Sequence, residues 1–448
     1  MSTTTPQLHT PHPLRIPQLP SWLLVAGCTL LVGLVFLTDE HRWDRSGLKD
    51  YVESAEERAV AAVSGNNMRR LAFLALGGTG VVLLLVGRKL PALREPMGLC
   101  LLLATGWTFG SLVWADAFSF TVKRLLLLTL CAGGVAGMAS VLSLRQLCIV
   151  LMCVTGFYLG LGIVAEILQG NFRPWAGGYR FAGTLHPNAQ STNCGAMALA
   201  SFALWREAAK SSDRRSLRLS ARHFFAAVFM CALFFLLLTK SRTAAAAVLM
   251  ALGLIWATAQ RFGANLIMAG VGLLFVLLVG YAVAVTGAGN SVGDAASMGR
   301  ADSQGALNGR LPIWDICIRR VGPQMPIGFG YDGFWTAERI ESVSWELGWS
   351  ISSAHSEYIE IALGLGVIGL GLYLLVQTVG IGWFWLRYVR LGHGGDAMVL
   401  GLLLVGGVQG FMETGYLHPS SLAPFIALTG MTRLAFFTDH RTSWTGAV

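Results

Sequence analysis

Residues 147–168 read LCIVLMCVTGFYLGLGIVAEIL, an apolar run in which Glu166 is the one charged side chain. A run of about 20 mostly apolar residues is long enough to cross the hydrocarbon core of a bilayer as a helix. Similar runs recur along the chain of 448 residues, of which 54% are hydrophobic and 13% are charged. Soluble domains carry roughly 25% charged residues, so the sequence predicts an integral membrane protein.

The apolar runs predict an all-α polytopic integral membrane protein with about twelve transmembrane helices. The predicted spans are residues 21–38, 71–87, 97–115, 125–143, 147–168, 189–205, 223–239, 243–260, 264–286, 358–386, 397–412 and 420–437. Spans 1–9 then occupy residues 21–286 and spans 10–12 occupy residues 358–437, with a large periplasmic loop at 287–357 between spans 9 and 10. Cytoplasmic tails are predicted at residues 1–20 and 438–448. The first run follows a polar, Pro-rich stretch, which favours a retained signal anchor.

The basic residues set the predicted orientation of these spans. Lys and Arg concentrate in the short segments 88–96, 206–222 and 387–396, which the positive-inside rule assigns to the cytoplasm. The net charge of +9 therefore follows from membrane topology, and no nucleic-acid partner is predicted. The eight cysteines include no CxxC pair and no cluster with histidine, so neither a disulfide framework nor a zinc site is indicated.

Some basic residues lie on the predicted outer side, where the positive-inside rule disfavours them. Arg180 precedes a span, and Lys240 and Arg242 lie in a tight turn between two spans. Arg310 lies in the large loop. Two interpretations are open: contacts of snorkelling side chains with lipid headgroups, or an anion site. A guanidinium is a planar fork of donors that matches phosphate oxygens, so these arginines together would suit a lipid-linked pyrophosphate.

His355 is the outer residue best suited to acid–base chemistry. It lies in Ser353-Ala354-His355-Ser356-Glu357-Tyr358, where the loop is predicted to re-enter the membrane as a helix. The helix dipole disfavours an imidazolium at that end, and a neutral imidazole can accept a proton as a general base. The alternative is a structural histidine that hydrogen-bonds near the start of the helix. His186, close to Arg180 in the sequence, is a second candidate.

The acidic residues of the loop do not indicate a metal site. They are dispersed between Asp294 and Glu357, without a DxD pair or an HExxH motif. Magnesium is usually bound through carboxylates, and arginines can balance the charge of a phosphate instead. The sequence therefore predicts a reaction that uses neither a metal nor a cofactor.

At these positions the sequence resembles the O-antigen ligase and polymerase superfamily of bacterial membrane glycosyltransferases. The matching motifs are Arg180 with Gly183 and Pro187-Asn188, Ser241-Arg242, Gly309-Arg310 with Ile313-Trp314, Pro326-Ile327-Gly328-Phe329-Gly330, Ala354-His355-Ser356-Glu357-Tyr358-Ile359-Glu360 and Gly364-Leu365-Gly366-Val367-Ile368-Gly369. The resemblance covers roughly residues 170 to 415. One departure is Ser356, where the family commonly has asparagine, another small hydrogen-bonding residue.

The resemblance implies a glycosyltransferase of the bacterial inner membrane whose active site faces the periplasm. The donor would be a glycan on undecaprenyl pyrophosphate, and the acceptor would be a sugar of lipid A–core, so both partners are membrane lipids. Transfer would invert the anomeric carbon by direct displacement. His355 would deprotonate the acceptor hydroxyl. The residues expected to bind substrate are Arg180, Arg242 and Arg310 for the pyrophosphate, with Lys240, His186 and Asn188 as additional candidates.

Other functions stay open at this point. Within the superfamily, the protein could be an O-antigen polymerase or a protein O-oligosaccharyltransferase; the first branch tends to be far more divergent, and the second tends to carry extra periplasmic sequence. A transporter of organic anions is an alternative from another class. It would need ionisable residues near the membrane midplane, whereas polar residues such as Glu166, Gln377 and Arg433 fall mostly near span ends.

Overall fold

The computed structural model describes residues 20–41, 67–87, 91–93, 95–176, 178–210, 215–259, 310–415 and 419–438. Within these ranges the regular structure is helical, and no strand occurs. The helices are α1 Ser21–Glu40, α2 Asn67–Gly87, α3 Pro96–Gly110, α4 Phe118–Val141, α5 Leu144–Leu168, α6 Pro187–Lys210, α7 Arg215–Leu238, α8 Arg242–Ala259, α9 Arg310–Val321, α10 Ala337–Leu347, α11 Glu357–Leu391, α12 Gly394–Gln409 and α13 Leu422–Thr432. A π-helical turn, Arg433–Phe437, continues α13.

Eight helices of the described part are long and apolar enough to cross a membrane, namely α1 to α5, α7, α8 and α11. Two shorter apolar helices, Gly394–Gln409 and Leu422–Phe437, coincide with the predicted spans 11 and 12. The prediction of an all-α polytopic membrane protein is therefore confirmed. The predicted ninth span, 264–286, lies outside the described residues, so the total number of spans stays a prediction.

Helix α6 lies at the centre of the bundle although it is less apolar than the spans around it. It packs against α5, α7, α8 and α12, and its first turns bury Gln190, Ser191 and Asn193. Asn193 Nδ2 donates to the carbonyl of Thr155, at 3.2 Å. Because polar groups are costly in hydrocarbon, this helix is stable only when protein surrounds it. Its polar end is thus available for a site inside the bundle.

One end of the bundle gathers the predicted site segments, and we call it the site end. Helices α5 and α7 end here, and α6, α8 and α11 begin here, as the contacts described below show. The opposite end carries ion pairs and polar contacts of its own: Arg387 pairs with the buried Asp396 at 2.9 Å, and Lys210 Nζ donates to the carbonyl of Gly392 at 2.7 Å. These residues belong to segments 206–222 and 387–396, so the opposite end is the one that the basic residues predict to be cytoplasmic.

Helix α11 is broken near its start, at Gly366. The backbone there has φ 70° and ψ −173°, a combination essentially confined to glycine. The break frees backbone groups that bond to the incoming loop: Phe329 N donates to Leu363 O at 2.9 Å, and Val367 N to Met325 O at 2.8 Å. Glycine at this position therefore lets the loop backbone approach the helix closely.

The described part of the large loop forms a small structure with its own core. Helices α9 and α10 pack through buried Ile313, Cys317, Ile340 and Val343. Trp335 joins this core, is 7% exposed and donates from Nε1 to Glu360 at 2.8 Å. A loop with a packed core can hold side chains in fixed positions above the membrane helices.

Candidate active site

The segment that carries Arg180 is held by a buried carboxylate at the end of α5. Glu166 is 2% exposed, and its Oε1 accepts from Ala182 N at 3.0 Å and from Gly183 N at 2.9 Å. Its Oε2 accepts from the Tyr179 hydroxyl. Gly183 has φ +62° and approaches Gly162 so closely that a Cβ would lie 2.8 Å from the Gly162 Cα. The shape of this loop is therefore fixed by the protein itself.

A buried histidine at the end of α1 adds a second anchor to the same loop. His41 Nδ1 lies within hydrogen-bond distance of the Thr184 hydroxyl, and its ring packs edge-on against Tyr158, with centroids 4.3 Å apart. Burial lowers the pKa of His41 to about 4, so its imidazole is neutral around pH 7. His41 is consequently a structural residue, and it holds the loop from the side of α1.

Arg180 connects this loop to the turn between α7 and α8. Its Nε donates to the carbonyl of Thr239 at 3.0 Å, and the neighbouring Phe181 N donates to Leu238 O at 2.9 Å. Lys240 lies in the turn with φ +51°, and Arg242 is the first residue of α8. Two predicted cations thus flank a helix N-terminus, whose free N–H groups and dipole favour anions.

Asn188 and Glu413 extend the network to the large loop. Arg180 Nη2 donates to Asn188 Oδ1 at 3.3 Å, and Asn188 Nδ2 donates to Glu413 Oε1 at 2.6 Å. Arg310 Nη2 donates to the same oxygen of Glu413 at 2.7 Å. The Arg310 and Glu413 side chains are 15% and 21% exposed, so a ligand can reach them. The structure therefore links Arg180 and Arg310, which are far apart in sequence, through two side chains.

His355 lies beside this network in a constrained backbone conformation. Its φ of +50° is uncommon for a residue with a side chain and is typical of functional sites. The preceding Ala354 is held on both sides, since its N–H donates to Glu360 Oε1 and its carbonyl accepts from Trp314 Nε1. His355 Nδ1 is 4.0 Å from Glu413 Oε2, and the side chain is 38% exposed.

Helix α9 supplies two of these contacts from one face. Arg310 and Trp314 are four residues apart, so their side chains point the same way on the helix. Arg310 reaches Glu413, and Trp314 Nε1 donates to Ala354 O at 2.9 Å. The spacing of the Arg310 motif therefore fixes the position of the arginine relative to His355.

A cavity of about 290 Å³ opens next to the network. His186, Asn188 and Glu413 line it together with Glu40 and Asn193. His186 also accepts at Nδ1 from the backbone N–H of Asn188, at 3.3 Å. All seven residues expected from the sequence are thus at the site end, although Arg242 and Lys240 lie on the turn side and His186 on the cavity side.

Sequence reasoning missed Glu413, which lies at the centre of the network. The signal was a lone carboxylate in the short segment 413–419, directly after a predicted span. Arg124, which directly precedes the predicted span 125–143, lies inside α4, which begins at Phe118, and pairs with Asp332 of the loop at 3.3 Å. Among the residues that the structure describes, no three His, Cys, Asp or Glu side chains form a cluster that could hold a metal.

The fold and the site define a multi-pass membrane protein with several arginines, and His355 beside them, at one end of its helices. The family model described as O-antigen ligase matches residues 227–374, a range that includes Arg242, Arg310 and His355. This match to one part of the chain supports a member of the O-antigen ligase/polymerase superfamily and points to a glycosyltransferase-like enzyme. None of the curated proteins matches the chain.

Proposed function

We propose that the protein is an inverting glycosyltransferase that transfers O-antigen polysaccharide from undecaprenyl pyrophosphate to a sugar of lipid A–core, completing lipopolysaccharide. The observation that carries this proposal is the continuous network from Arg180 through Asn188 and Glu413 to Arg310, with His355 beside it. It combines cations for a pyrophosphate with a group that can accept a proton. The site end then faces the periplasm of the bacterial inner membrane.

Arg180, Arg242 and Arg310 act on the pyrophosphate of the donor. They bind its oxygens and stabilise the charge that develops as it leaves. Within the described part of the chain, the Arg242 side chain has no hydrogen bond or ion pair, and the residue begins a helix whose N-terminus favours anions. Pyrophosphate is already a good leaving group, so the main task of the protein is to hold two lipid-bound partners in line.

His355 acts on the acceptor hydroxyl. Its imidazole takes the hydroxyl proton while the oxygen forms a bond to the anomeric carbon of the donor. The bond from that carbon to the pyrophosphate oxygen breaks on the opposite face, and the pyrophosphate keeps the electron pair. The anomeric configuration is inverted, and the proton passes from the imidazolium to water. This sequence of steps needs neither a metal nor a cofactor.

The decisive experiment is a transfer reaction with purified protein in proteoliposomes that contain the lipid-linked polysaccharide and lipid A–core. The expected product is long-chain lipopolysaccharide, and its formation should continue at the same rate with a chelator present. His355→Ala should bind the donor but form no product. Extension of the polyprenyl-linked glycan, with no transfer to lipid A–core, would instead identify a polymerase. Loss of activity with chelator and recovery with Mg²⁺ would contradict the metal-independent mechanism.

A transporter is not favoured by the surroundings of the polar residues in the helices. Glu166 is saturated by the loop at the end of α5, and Gln377 Nε2 donates to Leu403 O at 2.6 Å. Arg433 Nη1 donates to Ala139 O at 3.1 Å. These groups bind the protein's own backbone and side chains, as expected for structural roles.

A further inference from the structure

We propose that Glu413 is a positioning residue that couples donor binding to activation of His355; the inference rests on the proposed function. Without donor, the carboxylate holds Arg310. When the pyrophosphate takes over Arg310, the carboxylate turns to His355 Nδ1 and fixes the imidazole as the base.

The two oxygens of Glu413 face different partners. Oε1 accepts from both Asn188 and Arg310, at 2.6 and 2.7 Å. Oε2 faces His355 Nδ1 across 4.0 Å, which is longer than the 2.7–3.2 Å of a hydrogen bond. A movement of about 1 Å would close this gap to hydrogen-bond length. The Glu413 carboxylate therefore lies between Arg310 and His355, and it is hydrogen-bonded to Arg310 but not to His355.

A pyrophosphate competes directly for the position that Glu413 occupies on Arg310. Both carboxylate and phosphate accept charge-assisted hydrogen bonds from a guanidinium, but the pyrophosphate carries more negative charge and is also bound by Arg180 and Arg242. Like charges repel, so the arriving anion drives the Glu413 carboxylate away from the arginine. The group that already faces the displaced carboxylate is Nδ1 of the neutral His355 imidazole, 4.0 Å from Glu413 Oε2.

The backbone lets Glu413 change partners without moving the helices. Glu357 N, at the start of α11, donates to Gly410 O at 2.8 Å and to Glu413 O at 3.2 Å. These bonds fix the segment after α12 against the segment that carries His355. Only the flexible glutamate side chain has to turn, and the two backbone segments keep their positions.

The contact determines which nitrogen of His355 accepts the proton. A carboxylate at Nδ1 accepts from an Nδ1–H group, so Nε2 is the ring nitrogen that takes the proton of the acceptor hydroxyl. It also stabilises the imidazolium that forms. The same arrangement of carboxylate and imidazole orients the base in the serine protease triad. Donor binding then precedes base activation.

The test is Glu413→Gln, compared with Glu341→Gln as a matched control. Glu341 is an exposed glutamate on α10, so its variant makes the same chemical change away from the site. Binding of glycan-free undecaprenyl pyrophosphate to protein in nanodiscs and transfer at saturating donor are measured for each. In Glu413→Gln we expect donor affinity equal to or tighter than wild type, with turnover lowered about 100-fold or more, since a general base contributes about 10²- to 10⁴-fold.

Each outcome decides between the explanations. If Glu413→Gln still binds the donor, the variant is folded. A loss of turnover then means that His355 no longer acts efficiently as the base. Unchanged turnover would overturn the proposal, as would a loss of donor affinity that matches the loss of turnover. If wild-type protein binds the donor but transfers nothing to lipid A–core, the proposed function itself fails, and the coupling falls with it.

Discussion

At the residue scale, Arg310 is expected to depend on its guanidinium and not only on its charge. Its Nη2 reaches Glu413 at 2.7 Å, and in the proposed reaction the same fork binds the pyrophosphate. A lysine ammonium is a point charge and cannot reproduce two parallel hydrogen bonds. Arg310→Lys should therefore lower transfer about 10- to 100-fold, because a charge-assisted hydrogen bond contributes about 1.5–3 kcal/mol and 1.36 kcal/mol is a factor of ten.

The control for this prediction lies on the same helix. Arg319 is 61% exposed and pairs with Asp315 and Glu346 on the surface of the loop structure. Surface ion pairs contribute little, so Arg319→Lys should leave the transfer rate unchanged. Initial rates in proteoliposomes, at equal amounts of inserted protein, provide the comparison. Full activity of Arg310→Lys would show that a single point charge suffices at this position.

Glu166 gives a residue-scale prediction that concerns the loop around Arg180. Replacing it by alanine leaves two buried N–H groups and the Tyr179 hydroxyl without their partner, and each unpaired group costs about 1–3 kcal/mol. Glu166→Ala should therefore lower the melting temperature in detergent and weaken donor binding. Glu166→Gln keeps an amide oxygen for Ala182 and Gly183, so it should restore most of both. Equal damage from the two variants would mean that the negative charge, and not the geometry, is required.

The sequence singled out the candidate cations and the candidate base because each stands in a recognisable motif. Arg180 and Arg242 break the expected charge pattern in short outer segments, Arg310 stands in a motif of the large loop, and His355 stands just before a predicted helix. Glu413 does not stand in such a motif, and its importance comes from contacts across 58 or more positions of the chain. Contacts between residues far apart in the chain cannot be read from a single sequence, so the central position of Glu413 is seen only in the structure.

At the element scale, the break in α11 is expected to be essential for docking of the loop. A Cβ on Gly366 would lie 2.3 Å from the carbonyl oxygen of Pro326, and φ +70° is itself strained for other residues. Gly366→Ala should therefore destabilise the protein, with about 1–3 kcal/mol from backbone strain alone. The melting temperature in detergent should fall, and transfer should fall with it, because the loop carries Arg310.

Gly371, on the same helix, supplies the control for the break. A Cβ there would meet nothing within 4 Å, and alanine is the better helix former. Gly371→Ala should melt at or slightly above the wild-type temperature. A similar loss of stability in both variants would mean that α11 needs glycine for general flexibility, and the docking of the loop would then not depend on Gly366.

The helices themselves were largely predictable, whereas their irregular parts were not. Apolar length marks a span directly, so α5 and α8 match their predicted positions closely. The start of α4 was placed seven positions late (118 against 125), because Lys123 and Arg124 interrupt the apolar run. Arg124 can remain in the helix because Asp332 of the loop pairs with it, and such a partner is not visible in the local sequence.

At the scale of the whole molecule, the two ends of the bundle differ in how their charges are balanced. At the site end, Arg180 and Arg310 are joined through Asn188 and Glu413, and the side chains of this network are partly exposed. At the opposite end, Arg387 and Asp396 form a pair that is 1% and 0% exposed. Buried pairs are costly to break, so this pair is expected to hold α11 and α12 together at the opposite end.

The orientation of the whole molecule can be tested by labelling with a membrane-impermeant maleimide in intact cells. Trp345 on α10 is 88% exposed and lies in the loop structure at the site end, whereas Arg390 is an exposed residue near the opposite end of α11. If the site end faces the periplasm, as the positive-inside rule predicts, Trp345→Cys should be labelled in intact cells. Arg390→Cys should be labelled only after the inner membrane is opened. Wild-type protein, whose Cys317 is buried, gives the background. The reverse labelling pattern would place the network in the cytoplasm and would exclude transfer in the periplasm.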